Sequence, residues 1–460
     1  MNPVVIIGAG ITGLSAAWEL QQRGIPYLVL EASGRVGGKL ITEHSEGFLF
    51  EAGADSFLLS KQWAWQLCQE IGLAEQMIPT NSDQRAVYVY HRGALHPFPK
   101  GMRLIVPVEE EAFLQTASVL SEAGKQRMLA EATIPPRQET TDESLAAFVR
   151  RRFGQEALEV FGESLLSGIH VADPEQLSVA ATFPQYPRLE HTYGSVIRGM
   201  RAEPMPPPDS ALPPSAFVSP KNGMAQLPET LASRLTGDIR LETSVVVIGA
   251  GRTVRLQSGE VLRADAVIVT TPAGGASKLL AGNFGELSAL LGSFKTVSSG
   301  TVHLGYRERD LDRPLDGYGF VIPRSEPTRI TACTWSSTKL SGRAPDGYAL
   351  LRVFIGGHGR EAAVALSDAE LVVLARRELQ TTMGLTAAPV ITRVYRWQGA
   401  SPQYEVGHLE RVARIAAESP AWLKVTGCAY DGVGVPDCVR QGRAAAQEIS
   451  ESFSYEHRTL

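Results

Sequence analysis

Residues 4–31 constrain this chain more than any other stretch. Val4 to Ile7 is an unbroken β-branched run, the pattern of a strand buried on both faces of a parallel sheet. It breaks into Gly8-Ala9-Gly10-Ile11-Thr12-Gly13. Leu14, Ala17, Trp18 and Leu20 then recur at helical spacing up to Gly24. A second apolar run, Tyr27-Leu28-Val29-Leu30, ends at Glu31 and Ala32. Strand, glycine turn, helix, strand and acid make a complete βαβ unit of the dinucleotide-binding kind. Gly8 allows the tight turn, Gly10 lets a pyrophosphate reach the backbone, and Gly13 lets the helix lie close to the strand. The helix N-terminus adds free N–H groups and positive dipole, and Glu31 accepts hydrogen bonds from a ribose.

Composition narrows what such a unit serves. The chain has 460 residues, enough for two or three domains, and its 44 Lys+Arg against 49 Asp+Glu exclude a broadly basic nucleic-acid binder. Cys68, Cys333, Cys428 and Cys438 form no C-x-x-C pair, so neither a disulfide scaffold nor a metal site is expected. No apolar run approaches a membrane span, and no basic leader precedes Val4. The expectation is a cytoplasmic protein, with peripheral membrane contact left open.

Further motifs decide the cofactor. Arg35-Val36-Gly37-Gly38-Lys39 follows the ribose acid closely, and Gly47 to Phe57 reads as a strand followed by a glycine loop, Gly53-Ala54-Asp55-Ser56. Far along the chain, Leu423 to Val425 runs into Gly427 to Gly434, and a helix with Pro436 in its first turn follows. The segment Val246 to Gly251 mimics a second glycine fingerprint, but it lacks the third glycine and continues as an alternating strand. Together these stretches resemble the FAD enzymes of the amine oxidase and porphyrinogen oxidase group. The resemblance implies FAD, with Arg35, Gly38 and Lys39 near its pyrophosphate and Gly53, Ala54, Asp55 and Ser56 beside the ring system. It sets Val245 against the adenine, Trp397 over the flavin, and Val433, Gly434 and Val435 at the pyrimidine edge.

Within that group, several stretches are similar to the bacterial-type protoporphyrinogen and coproporphyrinogen oxidases. They are Gly53 to Leu58, Ala94 to Gly101, Leu165 to Asp173 with Leu177-Ser178, Lys221 to Met224, Pro402-Gln403-Tyr404, Gly407-His408 and Tyr430 to Asp437. The implied fold is α/β plus α+β. A Rossmann-like FAD-binding domain is assembled from residues 1–85, 217–285 and 397–460. A helical insertion, 98–200, roofs the substrate and offers a membrane-contact surface. A mixed-sheet substrate domain takes 86–97, 201–216 and 286–396.

The implied reaction removes hydrides from the bridging carbons of a porphyrinogen to flavin N5. Dioxygen reoxidises the flavin and yields peroxide. Hydride transfer of this kind needs alignment more than acid–base groups, and no catalytic acid or base is assigned. The resemblance puts Gly168, Ile169, Val321 and Phe354 against the macrocycle. Lys61 is a candidate for its propionates, since Asp55 stands where some members carry Arg. Expected partners are the tetrapyrrole, dioxygen and the next enzyme of heme synthesis. Flavin amine or polyamine oxidases and carotenoid-type desaturases remain alternatives, although position 434 carries glycine where an amine cage needs an aromatic ring.

In the insertion, Thr140 and Glu143 read as a capping box ahead of a helix through Leu145, Phe148, Val149 and Phe153. Arg150-Arg151-Arg152 reads as a solvated face, or else as a contact for anionic lipid or propionates. Pro204 to Pro214 reads as an extended loop, and His96, His170 and His408 as structural residues.

Overall fold

The computed structural model describes residues 2–83, 85–203, 213 and 215–456. Apart from Pro213, the proline-rich loop expected at 204–214 lies outside them.

Five parallel strands form one sheet in the order Asp238–Arg240, Tyr27–Leu30, Val4–Ile7, Ala266–Val269, Leu423–Val425. Val4, Val5, Ile6 and Ile7 are all buried, because helices cover one face of this sheet and a three-stranded sheet with further helices covers the other. The strand order reverses direction on either side of Val4–Ile7. Ligands of open parallel sheets lodge at such a switch point, beyond the carboxyl ends of the strands.

Two helices converge there. Ile11–Gln22 and Val435–Glu456 pack so closely that a Cβ on Gly442 would stand 2.1 Å from Thr12 O. Cys438 meets the Thr12 side chain, and further along both helices Arg443 Nε meets Glu19 at 2.9 Å. The helices therefore run in the same direction, and both N-terminal ends open on the same crevice.

A second, seven-stranded mixed sheet runs Ile391–Pro402, Thr296–Arg307, Tyr348–Gly356, Ile330–Trp335, Gly317–Val321, Ala86–His91, Ala94–Pro97. Its pairs are antiparallel except Gly317–Val321 with Ala86–His91. One face buries Val302, Leu304, Phe320, Leu351 and Val353 under the helix Asp368–Met383, which presents Leu371, Leu374, Ala375 and Leu379. Ser367 and Glu370 form a full capping box at the start of that helix, and Gly384 ends it at φ +74°. The opposite face carries Val89, Val321, Ala332, Phe354 and Thr301 in one cross-strand row.

The expected boundaries shift against these two sheets. Leu287 and Leu291 of the helix Gly285–Gly292 belong to the core of the parallel sheet, so the strand-rich unit starts near Thr296 instead of residue 286. Its edge strand also continues past 397 to Pro402.

The insertion is helical around Phe113, Phe148, Val149, Phe153, Phe161 and Tyr186. Two expectations fail in it. The helix Leu145–Phe153 is capped by Ser144, whose hydroxyl accepts from Ala147 N at 3.1 Å, so Thr140 and Glu143 form no capping box. Glu143 instead holds Arg151 at 2.6 Å. The arginine run is a solvated face only at Arg150, which is exposed, and it is not an open anion site. Arg152 is fully buried against Glu131 and Glu190, Arg151 is paired with Glu143 and Glu190, and Arg150 with Glu175.

Candidate active site

The glycine turn Gly8–Gly13 sits at the switch point. Glycine is required where a Cβ would collide with backbone, and on Gly13 it would lie 2.0 Å from Gly8 O. A Cβ on Gly38 would come 3.1 Å from the Gly10 Cα, because Gly10 pairs with Gly37 in a parallel bridge. No side chain caps the helix Ile11–Gln22 and no acid lies in its first turn, so its N–H groups face the crevice free of competing anions. Ile11 and Thr12, its first residues, are buried. Glu31 is tied to the turn, with Oε2 accepting from Ala9 N at 2.8 Å and Oε1 from Ser33 N at 2.9 Å. Ala32 and Arg35 are exposed, and the Arg35 guanidinium folds onto the carbonyls of Val36 and Gly38. A glycine cradle at an uncapped helix start, with a fixed carboxylate beside it, fits the pyrophosphate and ribose of a dinucleotide.

The second flank is the loop Gly53–Ser56. A Cβ on Gly53 would lie 2.1 Å from Lys39 O and 3.9 Å from the Trp397 ring. Trp397 Nε1 donates to Ala52 O at 2.8 Å, which holds the indole edge against that loop. Asp55 accepts from Lys339 at 2.8 and 2.9 Å. Burial would raise its pKa, but the Lys339 and Arg352 charges outweigh it and hold the carboxyl well below the usual range. Arg352 donates to Gly53 O and lies 4.6 Å from the centre of the Phe354 ring. Lys39 Nζ reaches Ala400 O, with Cys428 Sγ at 3.6 Å.

The third flank is the carboxy-terminal turn. Tyr404 donates to Cys428 O at 2.8 Å and accepts from Gly432 N at 3.0 Å, and its ring stacks on His408 at 3.8 Å. Val433 and Gly434 are half-buried and Val435 is buried. Asp437 tucks under the turn, where a Cβ on Gly432 or Gly434 would lie 2.5 or 2.9 Å from it. Both Asp437 oxygens take Lys61 Nζ at 2.8 Å. Val321 and Val433, from distant segments, both pack on the helical cluster.

Gly168, in the short helix Ser167–His170, is exposed, and a Cβ there would meet open space. The Ile169 side chain lies outside the described residues. A π-helical stretch, Leu158–Leu166, leads into this helix. Val321, Ala332 and Phe354 are half-buried neighbours in the cross-strand row and form a flat apolar floor. Val245 is half-buried on a separate three-stranded sheet, against the outer core of the parallel sheet. The Val246–Gly251 mimic is the end of that strand and its hairpin turn. His170 is buried and stays neutral, its pKa pushed down to about 4 by burial and by the Lys61 charge. Among the described residues no cluster of His, Cys, Asp or Glu has the form of a metal site. No described helix is long and apolar enough to cross a membrane.

Lys339, Arg352, Tyr404 and Asp437 are site residues whose roles the sequence does not announce. Only Asp437 carries a local signal, an acid in a first helical turn.

Glu51, at the end of the strand Phe48–Glu51, ties that strand to Thr42 and to Met224. Its carboxyl accepts from Met224 N at 2.7 Å and from Thr42 Oγ1 at 2.8 Å, and it is buried. It is held by the protein itself. Burial raises its pKa from the ordinary 4.5 to about 7. A raised folded-state pKa means stability that is full below pH 4.5 and is lost as pH rises to about 7. A difference of that size is about 3 kcal/mol. Glu51→Gln is expected to flatten this part of the pH–stability curve, read from urea midpoints taken across that interval. An unchanged slope contradicts it.

The comparisons with known proteins agree with this geometry. The family model described as flavin containing amine oxidoreductase matches residues 11–450. A coproporphyrinogen III oxidase of Bacillus subtilis (strain 168) is 36% identical over 98% of this chain and 98% of its own length. A coproporphyrinogen III oxidase of Staphylococcus aureus is 35% identical over 97% of this chain and 98% of its own. A crystal structure from Exiguobacterium sp. 255-15, provisionally assigned as a protoporphyrinogen oxidase, superimposes with TM-score 0.85. It shares 32% identity and covers 98% of this chain and 99% of that one. The chain belongs to the flavin-containing amine oxidoreductase family, and its cofactor is FAD.

Proposed function

We propose that this chain is an FAD-dependent, oxygen-using oxidase of heme biosynthesis that dehydrogenates a porphyrinogen, coproporphyrinogen III or protoporphyrinogen IX, to the porphyrin. The observation that carries this reading is the correspondence with two coproporphyrinogen III oxidases over nearly their whole length. In this reading the parallel-sheet unit binds FAD, the seven-stranded sheet floors the substrate, and the helical insertion roofs it.

FAD, when bound, accepts a hydride and passes the electrons to dioxygen as peroxide. The residues Gly8–Gly13, Arg35, Gly38 and Lys39 hold its pyrophosphate, Glu31 and Ala32 its ribose, and Val245 its adenine. Residues 53–56, Trp397 and Val433–Val435 would enclose its ring system. Gly53 and Gly434 would let backbone come close to it at two points.

The apolar floor of Val321, Ala332 and Phe354 suits a flat hydrophobic ring. Gly168 leaves room above it, and Ile169 is assigned to the same wall. Lys61 stands at the rim, on Asp437. No acid–base pair is needed, because aromatisation drives the reaction and pyrrole protons leave to solvent. His170, buried and neutral, fits a structural role.

The test is anaerobic reduction of the purified yellow protein. Coproporphyrinogen III or protoporphyrinogen IX is expected to bleach the flavin within the turnover time, and admitted air to restore it with peroxide. Bleaching by a polyamine and by neither porphyrinogen overturns the proposal in favour of an amine oxidase.

A further inference from the structure

Along the strand Tyr348–Gly356 the site-facing side runs from charge to apolar and back to charge. Arg352 holds Gly53 O. Phe354 follows about 7 Å further on, two residues of strand rise, with Ala332 and Val321 beside it. Beyond this floor both strands end. The chain after Val321 turns through Pro323 to Arg324, and the chain after Gly356 turns through His358 to Arg360. Arg324 donates to His358 O at 3.2 Å and faces Asp173 Oδ1 at 3.6 Å. His358 Nε2 faces the other Asp173 oxygen at 3.3 Å, and its backbone N donates to Val171 O at 3.2 Å. This cluster therefore joins the end of the apolar floor to the segment that carries Gly168.

We propose that Arg324 binds a carboxylate of the substrate and selects a macrocycle with four propionates over one with two. This rests on the porphyrinogen reading above and names the group that would decide between its two substrates. Four neighbouring cations are already occupied. Lys61 and Lys339 each hold a carboxylate at 2.8 Å, the length of a strong charge-assisted bond. Arg360 is occupied by the carbonyls of Ile330 and Arg324, both at 3.1 Å. Arg352 is buried on Gly53 O. Arg324 differs. Its separation from Asp173 is too long for a charge-assisted hydrogen bond, unlike the pairing of Lys61, which is the more exposed of the two at 45% against 33%. Glu163, half-buried on the π-helical stretch, takes a hydrogen bond from the Arg324 backbone N–H and lies within reach of its charge, so it anchors the Arg324 segment with the guanidinium turned to Asp173 and His358. The planar fork of Arg324 thus keeps donors for a carboxylate, which it binds bidentately. A vinyl group at that corner leaves the guanidinium facing hydrocarbon and gains no hydrogen bond.

The experiment titrates the holoenzyme with coproporphyrin III and with protoporphyrin IX, following flavin content throughout. Arg324→Met is expected to weaken coproporphyrin III about tenfold and protoporphyrin IX by less than about threefold. KM for the corresponding porphyrinogens is expected to split the same way, with flavin stoichiometry unchanged. Equal weakening of both, or of neither, overturns the proposal. If Arg324→Met does not fold, Asp173→Asn decides. Removing the negative charge that competes with a substrate carboxylate is expected to tighten coproporphyrin III about threefold, and unchanged or weaker binding overturns the proposal. A wild-type protein that neither porphyrinogen reduces sinks the proposed function and this inference with it. An active wild type with an unselective Arg324→Met sinks only the role of Arg324.

Discussion

Gly10→Val is expected to fold and to purify colourless. Gly10 is the position where the nucleotide cradle is tested without testing the fold. A Cβ there meets only the Gly38 Cα, at 4.0 Å, which is ordinary contact. Its backbone, at φ −71° and ψ 174°, is extended and open to valine. Gly13 offers no such separation, since a Cβ 2.0 Å from Gly8 O displaces backbone whether or not a cofactor is present. The γ-methyls of the introduced valine would fill the approach to the uncapped helix start, where a pyrophosphate must come close to N–H groups. The measurement is the ratio of flavin to protein absorbance, with circular dichroism to show that the chain is folded. Stoichiometric FAD on the variant rejects the cradle assigned to Gly8–Gly13. Because FAD binds only the folded state, the wild type is also expected to lose thermal stability when stripped of it, and the variant not to regain it on adding FAD.

Legibility in the sequence follows the range of each interaction. The βαβ unit is readable because strand, turn, helix and acid lie within residues 4–31, and periodicity reports burial directly. The carboxy-terminal helix Val435–Glu456 is readable from Pro436 and the glycines before it. The pairing of Asp55 with Lys339 is not, since 284 residues separate them and neither has a local signature. The motif Pro402-Gln403-Tyr404 is recognisable, but its work is not. In the fold, Tyr404 and His408 stack under the carboxy-terminal turn, and the Tyr404 hydroxyl holds Cys428 and Gly432. The capping box falls on the wrong residues for a physical reason. Thr140 and Glu143 have the right spacing, but Ser144 also suits an N-cap, and the apolar stripe starting at Leu145 decides where the helix can begin. The three arginines show the same limit. A charge run is usually a solvated face, and nothing local announces that Glu131 and Glu190 lie ready to receive Arg151 and Arg152.

That buried network carries the second large expected effect. Arg152 is 0% exposed, and its guanidinium is shared among Glu131, Glu190 and the carbonyls of Ile134 and Pro135. Glu131 in turn receives the Ser195 hydroxyl at 2.6 Å, Val196 N at 2.9 Å and Ile197 N at 3.1 Å. One carboxylate therefore neutralises a buried cation and caps the start of the helix Val196–Ala202. Arg152→Met leaves that carboxylate buried without its counter-charge, and removing one partner of a buried pair costs about 3–5 kcal/mol. The double variant Arg152→Met/Glu131→Gln removes both charges and keeps one acceptor oxygen, for either Val196 N or Ile197 N, which bond to different oxygens of Glu131. It is expected to recover part of the loss, because burying two ions was costly to begin with, while one backbone donor is left without its acceptor. Urea midpoints followed by circular dichroism measure both effects. Flavin content is expected to hold in the native range, since Arg152 contacts only the helical unit. A single-variant cost below about 1 kcal/mol would mean that the pair behaves like a solvated surface bridge, which its burial does not allow. A double variant no more stable than the single one would assign the loss to packing of the Arg152 stem instead of to its charge.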